Sequence, residues 1–240
     1  MTADSRGDVV VVVAARSANA AGDREFLRDT LAGMLGVPRD AVAIAQKCAQ
    51  CGGDHGRPVL VRGGVHVRGG VHVSLSRAGG SVAVAVSFAG PVGVDIESLD
   101  AAAAGGFDDV AFGCDELAAL TVAAGSAPRL RLALWTAKEA VLKATGDGLR
   151  VDPRKVLVSV PPRAAHPILL ALPGAEVHPG AVHLAAFDAG ARLVGTVAVV
   201  SSARPGIRIG APVPPAPPSG VPDRPCSRGR RGQSRGSGSA

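Results

Sequence analysis

The sequence predicts an α+β fold built from two similar subdomains. Each half of the chain combines β-branched or alternating segments, which are typical of strands, with apolar residues at helical spacing. The composition includes five Phe, one Trp and no Tyr, so the core must be mainly aliphatic. We place one subdomain at residues 1–100 and the second at 101–200. A Pro-, Arg- and Gly-rich tail at 201–240 is expected to be disordered.

The first half begins with a strand and a helix. Residues 9–13 are all valine and predict a buried strand. From Asp23 onward, apolar residues keep helical spacing, and Gly36 is expected to end this helix as its C-cap. Further strands are predicted at 71–76, 81–88 and 92–96, of which the first two form a hairpin around Gly79-Gly80.

An identical hexapeptide, Arg-Gly-Gly-Val-His-Val, occurs in tandem at 62–67 and 68–73. Two copies are too few for a solenoid. Because six is an even number, a slip by one copy leaves every side chain on the same face of a strand. The sequence therefore specifies the pairing register weakly at this point.

The second half begins with helices. Asp115 is a candidate cap for a helix over 116–124, which Gly125 would end. A longer helix is predicted from Ala127 or Pro128 to Thr145, with Gly146 directly after its end. Strands at 155–160, 181–187 and 192–200 complete the half.

Charge and composition exclude several classes of protein. The tail holds seven Arg and one Asp, so it carries the whole net charge of +6. This basic tail could in principle bind nucleic acid, but it has no aromatic residues for base stacking, which disfavours that function. No apolar run approaches the ~18 residues of a membrane span. Asp4 and Asp8 stand where a signal peptide carries positive charge, so we expect a cytoplasmic protein.

The segment Gly93-Val94-Asp95-Ile96-Glu97 is the first chemical motif. Its two carboxylates stand at i and i+2 of a predicted strand and share one face. Gly93 would let another backbone or a ligand approach closely. Paired carboxylates can hold Mg²⁺ beside phosphate oxygens, but the pattern alone also fits a solvated strand end.

The second motif, Trp135-Thr-Ala-Lys-Glu-Ala-Val-Leu-Lys143, lies inside the long predicted helix. Glu139 and Lys143 form an i, i+4 pair, and Trp135 lies one turn earlier on the same side. A surface ion pair with Trp135 in the core is the alternative interpretation.

The two motifs together resemble those of 4′-phosphopantetheinyl transferases of the broad-specificity, surfactin-synthetase-activating type. His55-Gly-Arg57-Pro and His72-Val-Ser-Leu-Ser76 resemble two further segments of that family. The resemblance covers roughly residues 24–200. It implies the 4′-phosphopantetheinyl transferase fold, a monomer of two α+β subdomains with pseudo-twofold symmetry and a site between them.

The resemblance implies transfer of the phosphopantetheine arm of coenzyme A to a serine of an apo acyl or peptidyl carrier protein. This holo-acyl-carrier-protein synthase activity would serve secondary metabolite biosynthesis and release adenosine 3′,5′-bisphosphate. Asp95, Glu97 and Glu139 would hold Mg²⁺ against the pyrophosphate. Glu139 would also be the base, and Lys143 would stabilise charge on the pyrophosphate oxygens.

The resemblance also implies contacts with coenzyme A. Arg57 and Ser76 carry over as phosphate contacts, and Lys138 is a further candidate beside Lys143. Arg77 stands where the family has a histidine that contacts the 3′-phosphate. The segment before the first helix is short and nearly uncharged, whereas the family has basic and aromatic residues there. The alternative function is therefore a degraded member that binds coenzyme A or carrier protein without efficient turnover.

Overall fold

The computed structural model describes residues 8–47, 52–53, 56–62, 70–100, 107–161 and 166–211. The strands are β1 (Asp8–Ala15), β2 (Ala43–Gln46), β3 (Pro58–Arg62), β4 (His72–Ala78), β5 (Ser81–Ser87), β6 (Val92–Ser98), β7 (Leu157–Ser159), β8 (Ile168–Ala171), β9 (Val182–Phe187), β10 (Leu193–Val200) and β11 (Gly206–Gly210). The α-helices are α1 (Ala20–Leu35), α2 (Asp108–Ala111), α3 (Cys114–Ala123) and α4 (Ala127–Thr145).

Two main sheets and two long helices form four layers. The first sheet has the order β11-β1-β5-β4 and the second has the order β6-β10-β9. Helix α1 packs on one face of the first sheet, through Leu27 and Leu31 against Val84 and Val86. The other face of that sheet packs against the second sheet, whose far side is covered by α4. This mixed arrangement confirms the α+β class.

The turn between β4 and β5 follows the chemistry that its sequence predicts. Gly79 and Gly80 both have positive φ, at 54° and 77°, which is the requirement of a type I′ hairpin turn. Ala78 pairs with Ser81 directly beside the turn. The predicted hairpin is therefore confirmed.

Both long helices end on the predicted glycines. Gly36 after α1 and Gly146 after α4 adopt left-handed conformations, and the Gly146 N–H donates to the carbonyl of Leu142. Helix α1 begins earlier than the sequence predicts, because Asn19 is the N-cap and its side chain accepts from the N–H of Gly22 at 2.9 Å.

Gly93 sets the distance between β6 and α4. A Cβ atom at this position would lie 2.0 Å from the carbonyl oxygen of Ala140 and 2.5 Å from the nitrogen of Ala144. The helix backbone therefore lies directly on the strand, as the sequence predicts for a glycine that permits close approach. This contact places the α4 side chains beside the end of β6.

Strands β4 and β6 are neighbours at the junction of the two sheets. The hydroxyl of Ser74 accepts from the N–H of Val94 at 3.0 Å, and that of Ser76 accepts from the N–H of Ile96 at 3.3 Å. We call these two hydrogen bonds the serine seam. Strand β6, which lies before the predicted boundary at residue 100, pairs with β10 in the second sheet.

The predicted disordered tail begins too early. Residues 206–210 form β11, which pairs in parallel with β1 from Asp8 to Val12. Residues 212–240 lie outside the described residues, as do 63–69 of the tandem hexapeptide and His55. Within the described ranges, no helix is long and apolar enough to cross a membrane.

Candidate active site

Strand β6 and helix α4 bring together five of the side chains that the motifs single out. The ammonium of Lys143 donates to Asp95 Oδ1 at 2.6 Å, and the indole N–H of Trp135 donates to Glu97 Oε1 at 3.3 Å. The carboxylate of Glu139 interacts electrostatically with both Lys143 and Asp95. The two motifs therefore form one site.

Asp95 is a buried carboxylate with two unequal oxygens. Its residue is only 3% exposed. Oδ1 accepts from Lys143 and, at 2.8 Å, from the hydroxyl of Ser76, whereas Oδ2 is buried and has no hydrogen-bond partner among the described residues. Burial raises the pKa of Asp95, although the Lys143 and Ser76 contacts oppose this rise. The interpretation of this motif as a solvated strand end is therefore wrong.

The pKa values of the two glutamates are raised as well. Burial raises the pKa of Glu97, and repulsion from Asp95 raises it further. The hydrogen bond from Trp135 acts in the opposite direction and lowers this pKa. Burial also raises the pKa of Glu139; Lys143 opposes that rise and Asp95 adds to it. Among the described residues, Lys143 is the cation that offsets the charge of these three carboxylates, so the site carries more negative than positive charge.

The donor chemistry of the site fits a hard divalent cation. Carboxylate oxygens are the usual protein ligands of Mg²⁺, and the buried Oδ2 of Asp95 has no partner of its own. In the described part of the chain, no three His, Cys, Asp or Glu side chains already stand as a metal-binding group. What favours a cation here is the mutual repulsion of Asp95, Glu97 and Glu139.

The structure places the Ser76 hydroxyl, a predicted phosphate contact, against Asp95. The single hydroxyl proton of Ser76 is donated to Asp95, and its oxygen accepts from Ile96. The residue is 7% exposed. Ser76 therefore supports the carboxylate and has no proton left to donate to a ligand.

The structure places Lys138, a further predicted phosphate contact, away from the carboxylate cluster. Its ammonium is fully buried and donates to the carbonyls of Ala111 and Pro153 at 2.7 and 3.0 Å and to Glu116 Oε2 at 2.5 Å. All three protons are therefore used inside the protein. Burial lowers the pKa of Lys138, which Glu116 opposes. Lys138 ties α4 to the segments around it and does not reach the carboxylate site.

Arg77 forms an ion pair that the sequence does not reveal. Its Nε atom lies 2.6 Å from Oδ2 of Asp23, a fully buried carboxylate in the first turn of α1. Asp23 also accepts from the N–H of Ser17 at 2.9 Å and lies 3.4 Å from Arg16 Nε. Two guanidinium groups thus share one carboxylate, which leaves a net positive charge. The side chain of Arg77 remains 26% exposed.

Arg57 lies at the C-terminal end of α4. Its Nη1 atom donates to the carbonyl of Ala144 at 3.3 Å, and burial lowers the pKa of the guanidinium. The side chain borders a cavity of about 190 Å³ that Val71 and His72 also line. The guanidinium of Arg57 therefore lies beside the last turn of α4.

Comparison with known families adds an independent observation. Residues 91–188 match the family model of the 4′-phosphopantetheinyl transferase superfamily. The matched segment is less than half of the chain, but it runs from β6 to β9 and includes Asp95, Glu97, Glu139 and Lys143. A comparison with curated proteins gives no match. The segment that builds the carboxylate site is thus similar to the 4′-phosphopantetheinyl transferase superfamily, and this similarity supports a transferase.

Proposed function

We propose that the chain transfers the 4′-phosphopantetheine arm of coenzyme A to a serine of an apo acyl or peptidyl carrier protein. The superfamily match supports phosphopantetheine transfer in general. The observation that carries the proposal is the position of the match, because it contains the three interacting carboxylates and Lys143.

The reaction is a displacement at the pyrophosphate of coenzyme A. The serine oxygen forms a bond to the phosphorus next to pantetheine, and the bond from that phosphorus to the bridging oxygen breaks. Adenosine 3′,5′-bisphosphate leaves with the bond electrons. Positioning and charge neutralisation lower the barrier of such a step most.

Glu139 is the proposed base for the incoming serine, directly or through a water molecule. Burial and the neighbouring Asp95 raise its pKa and thus make it a stronger proton acceptor than an exposed glutamate. The serine proton therefore ends on the carboxylate of Glu139.

Asp95, Glu97 and Glu139 are the proposed ligands of Mg²⁺, and this ion would supply positive charge against the pyrophosphate. Lys143 supplies further positive charge from α4. Because its ammonium is 2.6 Å from Asp95 Oδ1, Lys143 has to exchange that partner for a phosphate oxygen during substrate binding.

Arg57 and Arg77 are the proposed phosphate contacts for coenzyme A. Both guanidiniums carry permanent charge, which suits phosphate recognition. We further propose the surfactin-activating subtype, a cytoplasmic monomer, and a pseudo-twofold relation between α1 on its sheet and α4 on its sheet.

The test is incubation of the purified chain with coenzyme A, Mg²⁺ and an apo carrier protein, followed by intact-mass analysis of the carrier. The proposal expects a mass gain of one phosphopantetheine arm. A carrier with its acceptor serine changed to alanine, a reaction with chelator and Glu139→Gln are the controls. Binding of coenzyme A without any mass gain would instead support the non-catalytic alternative.

A further inference from the structure

The serine seam joins two strands that each end a sheet. Strand β4 is the last strand of the first sheet and β6 is the first of the second, so their facing edges lack a full backbone ladder. Ser74 and Ser76 replace part of it, because their hydroxyl oxygens accept from the N–H groups of Val94 and Ile96. Buried N–H groups need such partners, and both serines are buried.

Ser76 makes one contact more than Ser74. Its hydroxyl also donates to Asp95 Oδ1 at 2.8 Å, whereas the hydrogen bonds of the described residues give Ser74 only its backbone partner. A hydroxyl has a single proton and two acceptor positions. Since Ile96 fixes the oxygen of Ser76, the proton can be donated to Asp95 without losing the seam.

The contact of Ser76 determines which oxygen of Asp95 is available. Ser76 and Lys143 both bond to Oδ1, and Oδ2 is left buried without a partner among the described residues. Without Ser76, the carboxylate could turn so that both oxygens pair with Lys143. We infer that Ser76 is a positioning residue: it keeps Oδ2 of Asp95 available to the divalent cation and couples the packing of the two sheets to metal affinity.

This inference rests on the metal ligands of the proposed function, and it extends them to a residue outside the carboxylate cluster. Partners that orient a metal ligand through a hydrogen bond typically change metal affinity by roughly 10- to 100-fold when removed. Ser74 offers a matched control, because Ser74→Ala removes a seam hydrogen bond and leaves Asp95 untouched.

The experiment measures Mn²⁺ binding to the full chain without coenzyme A, by electron paramagnetic resonance, together with thermal melting. Both Ser74→Ala and Ser76→Ala should lower the melting temperature, and Ser76→Ala should lower it more, because it also removes a hydrogen bond to the buried carboxylate of Asp95. Only Ser76→Ala should weaken Mn²⁺ binding, by about 10-fold or more. Ser76→Thr retains the hydroxyl and should restore most of the affinity. In the transfer assay, Ser76→Ala should raise the KM for Mg²⁺ more than it lowers kcat.

Equal Mn²⁺ affinities of the two alanine variants would overturn the inference, and so would a failure of Ser76→Thr to recover affinity. If Ser76→Ala does not fold, Ser76→Cys takes its place, because the thiol has a similar size and is a weak hydrogen-bond donor. An Mn²⁺ affinity of Ser76→Cys equal to that of the unaltered chain would also overturn the inference. Absence of Mn²⁺ binding by the unaltered chain, with or without coenzyme A, would contradict the proposed metal centre itself. The two failures are thus distinguishable.

Discussion

Asp95 combines a role in the site with a role in the stability of the chain. The carboxylate accepts hydrogen bonds from Ser76 and Lys143 within a buried environment. The sequence suggests an exposed cluster of like charges whose removal costs no stability. Burial of Asp95 changes that expectation, because its loss leaves two polar groups without their acceptor.

We predict that Asp95→Ala and Asp95→Asn both abolish most transfer and differ in stability. Alanine removes the carboxylate that accepts from Ser76 and Lys143, and this loss should cost about 1–3 kcal/mol of unfolding free energy. Asparagine keeps an acceptor oxygen and should cost less. Chemical denaturation and carrier mass analysis of both variants test this. Turnover near the level of the unaltered chain in either variant would contradict the assignment of Asp95.

Arg77 gives a second prediction, on ligand recognition. If its guanidinium contacts the 3′-phosphate of coenzyme A, Arg77→Ala should lose a charge-assisted bond of ~1.5–3 kcal/mol, roughly 10- to 150-fold in affinity. Dephospho-coenzyme A lacks that phosphate, so its affinity should hardly change. Calorimetric titration of both ligands into both proteins measures the difference. Equal losses for the two ligands would show that Arg77 does not contact the 3′-phosphate.

Asp23 gives a prediction on pH dependence. Burial raises the pKa of Asp23, but hydrogen bonds from Arg77 and Ser17 outweigh it, so the pKa lies below the ordinary value of 3.8. A lowered pKa in the folded state contributes stability above pH 3.8, and this contribution disappears as the pH falls through the folded-state pKa. Asp23→Asn should therefore be less stable than the unaltered chain at pH 6, and the gap should narrow towards pH 3. Urea midpoints at both pH values check this, and a constant gap would contradict it.

At the scale of elements, the packing of α4 on β6 controls the site. Gly93→Ala would place a methyl group 2.0 Å from the carbonyl of Ala140, so the helix must move away from the strand. We expect the unfolding free energy to fall by about 1–3 kcal/mol or more. We also expect most of the transfer activity to be lost. Gly125→Ala is the control, because nothing lies within 4 Å of its added Cβ. Similar melting temperatures for the two variants would contradict this account of the contact.

The elements that the sequence predicts best are those with local stop signals. Helix α4 ends at Gly146, and the β4–β5 hairpin turns at Gly79-Gly80. All three glycines have positive φ, as their positions in the sequence predict. Strands β2, β3, β8 and β11 escape prediction as strands because each has only four or five residues. Such short strands depend on partners elsewhere in the chain, as β11 depends on β1.

Sequence spacing predicts which side chains share a face of one element, but it does not predict their partners on other elements. The i, i+2 and i, i+4 patterns identify Asp95, Glu97, Glu139 and Lys143 correctly as neighbours within each element. The sequence does not reveal the partners of Lys138, because they are Glu116 and two carbonyls from distant segments. Asp23 was missed for the same reason, since its partner Arg77 is 54 positions away.

For the whole molecule, β11 carries a prediction about truncation. Ending the chain after Ala211 keeps the pairing of β1 with β11. Ending it after Val200 removes the partner strand along one edge of β1, from Asp8 to Val12, and leaves the pairing with β5 on the other edge. The longer form should melt close to the full chain, and the shorter form should melt clearly lower and tend to aggregate. Thermal melts and light scattering compare the three proteins. Identical melts for both truncations would show that β11 contributes no stability.

The pairing of Asp8 with Gly206 joins positions that are 198 residues apart. During synthesis at ≈ 5–20 residues per second, the valine-rich outer edge of β1 would wait roughly 10–40 s for the strand that covers it. An uncovered strand edge of this kind is a template for other nascent chains. Strand β1 therefore leaves the ribosome long before its partner β11, and the protection of its edge in the cell depends on how quickly translation reaches β11.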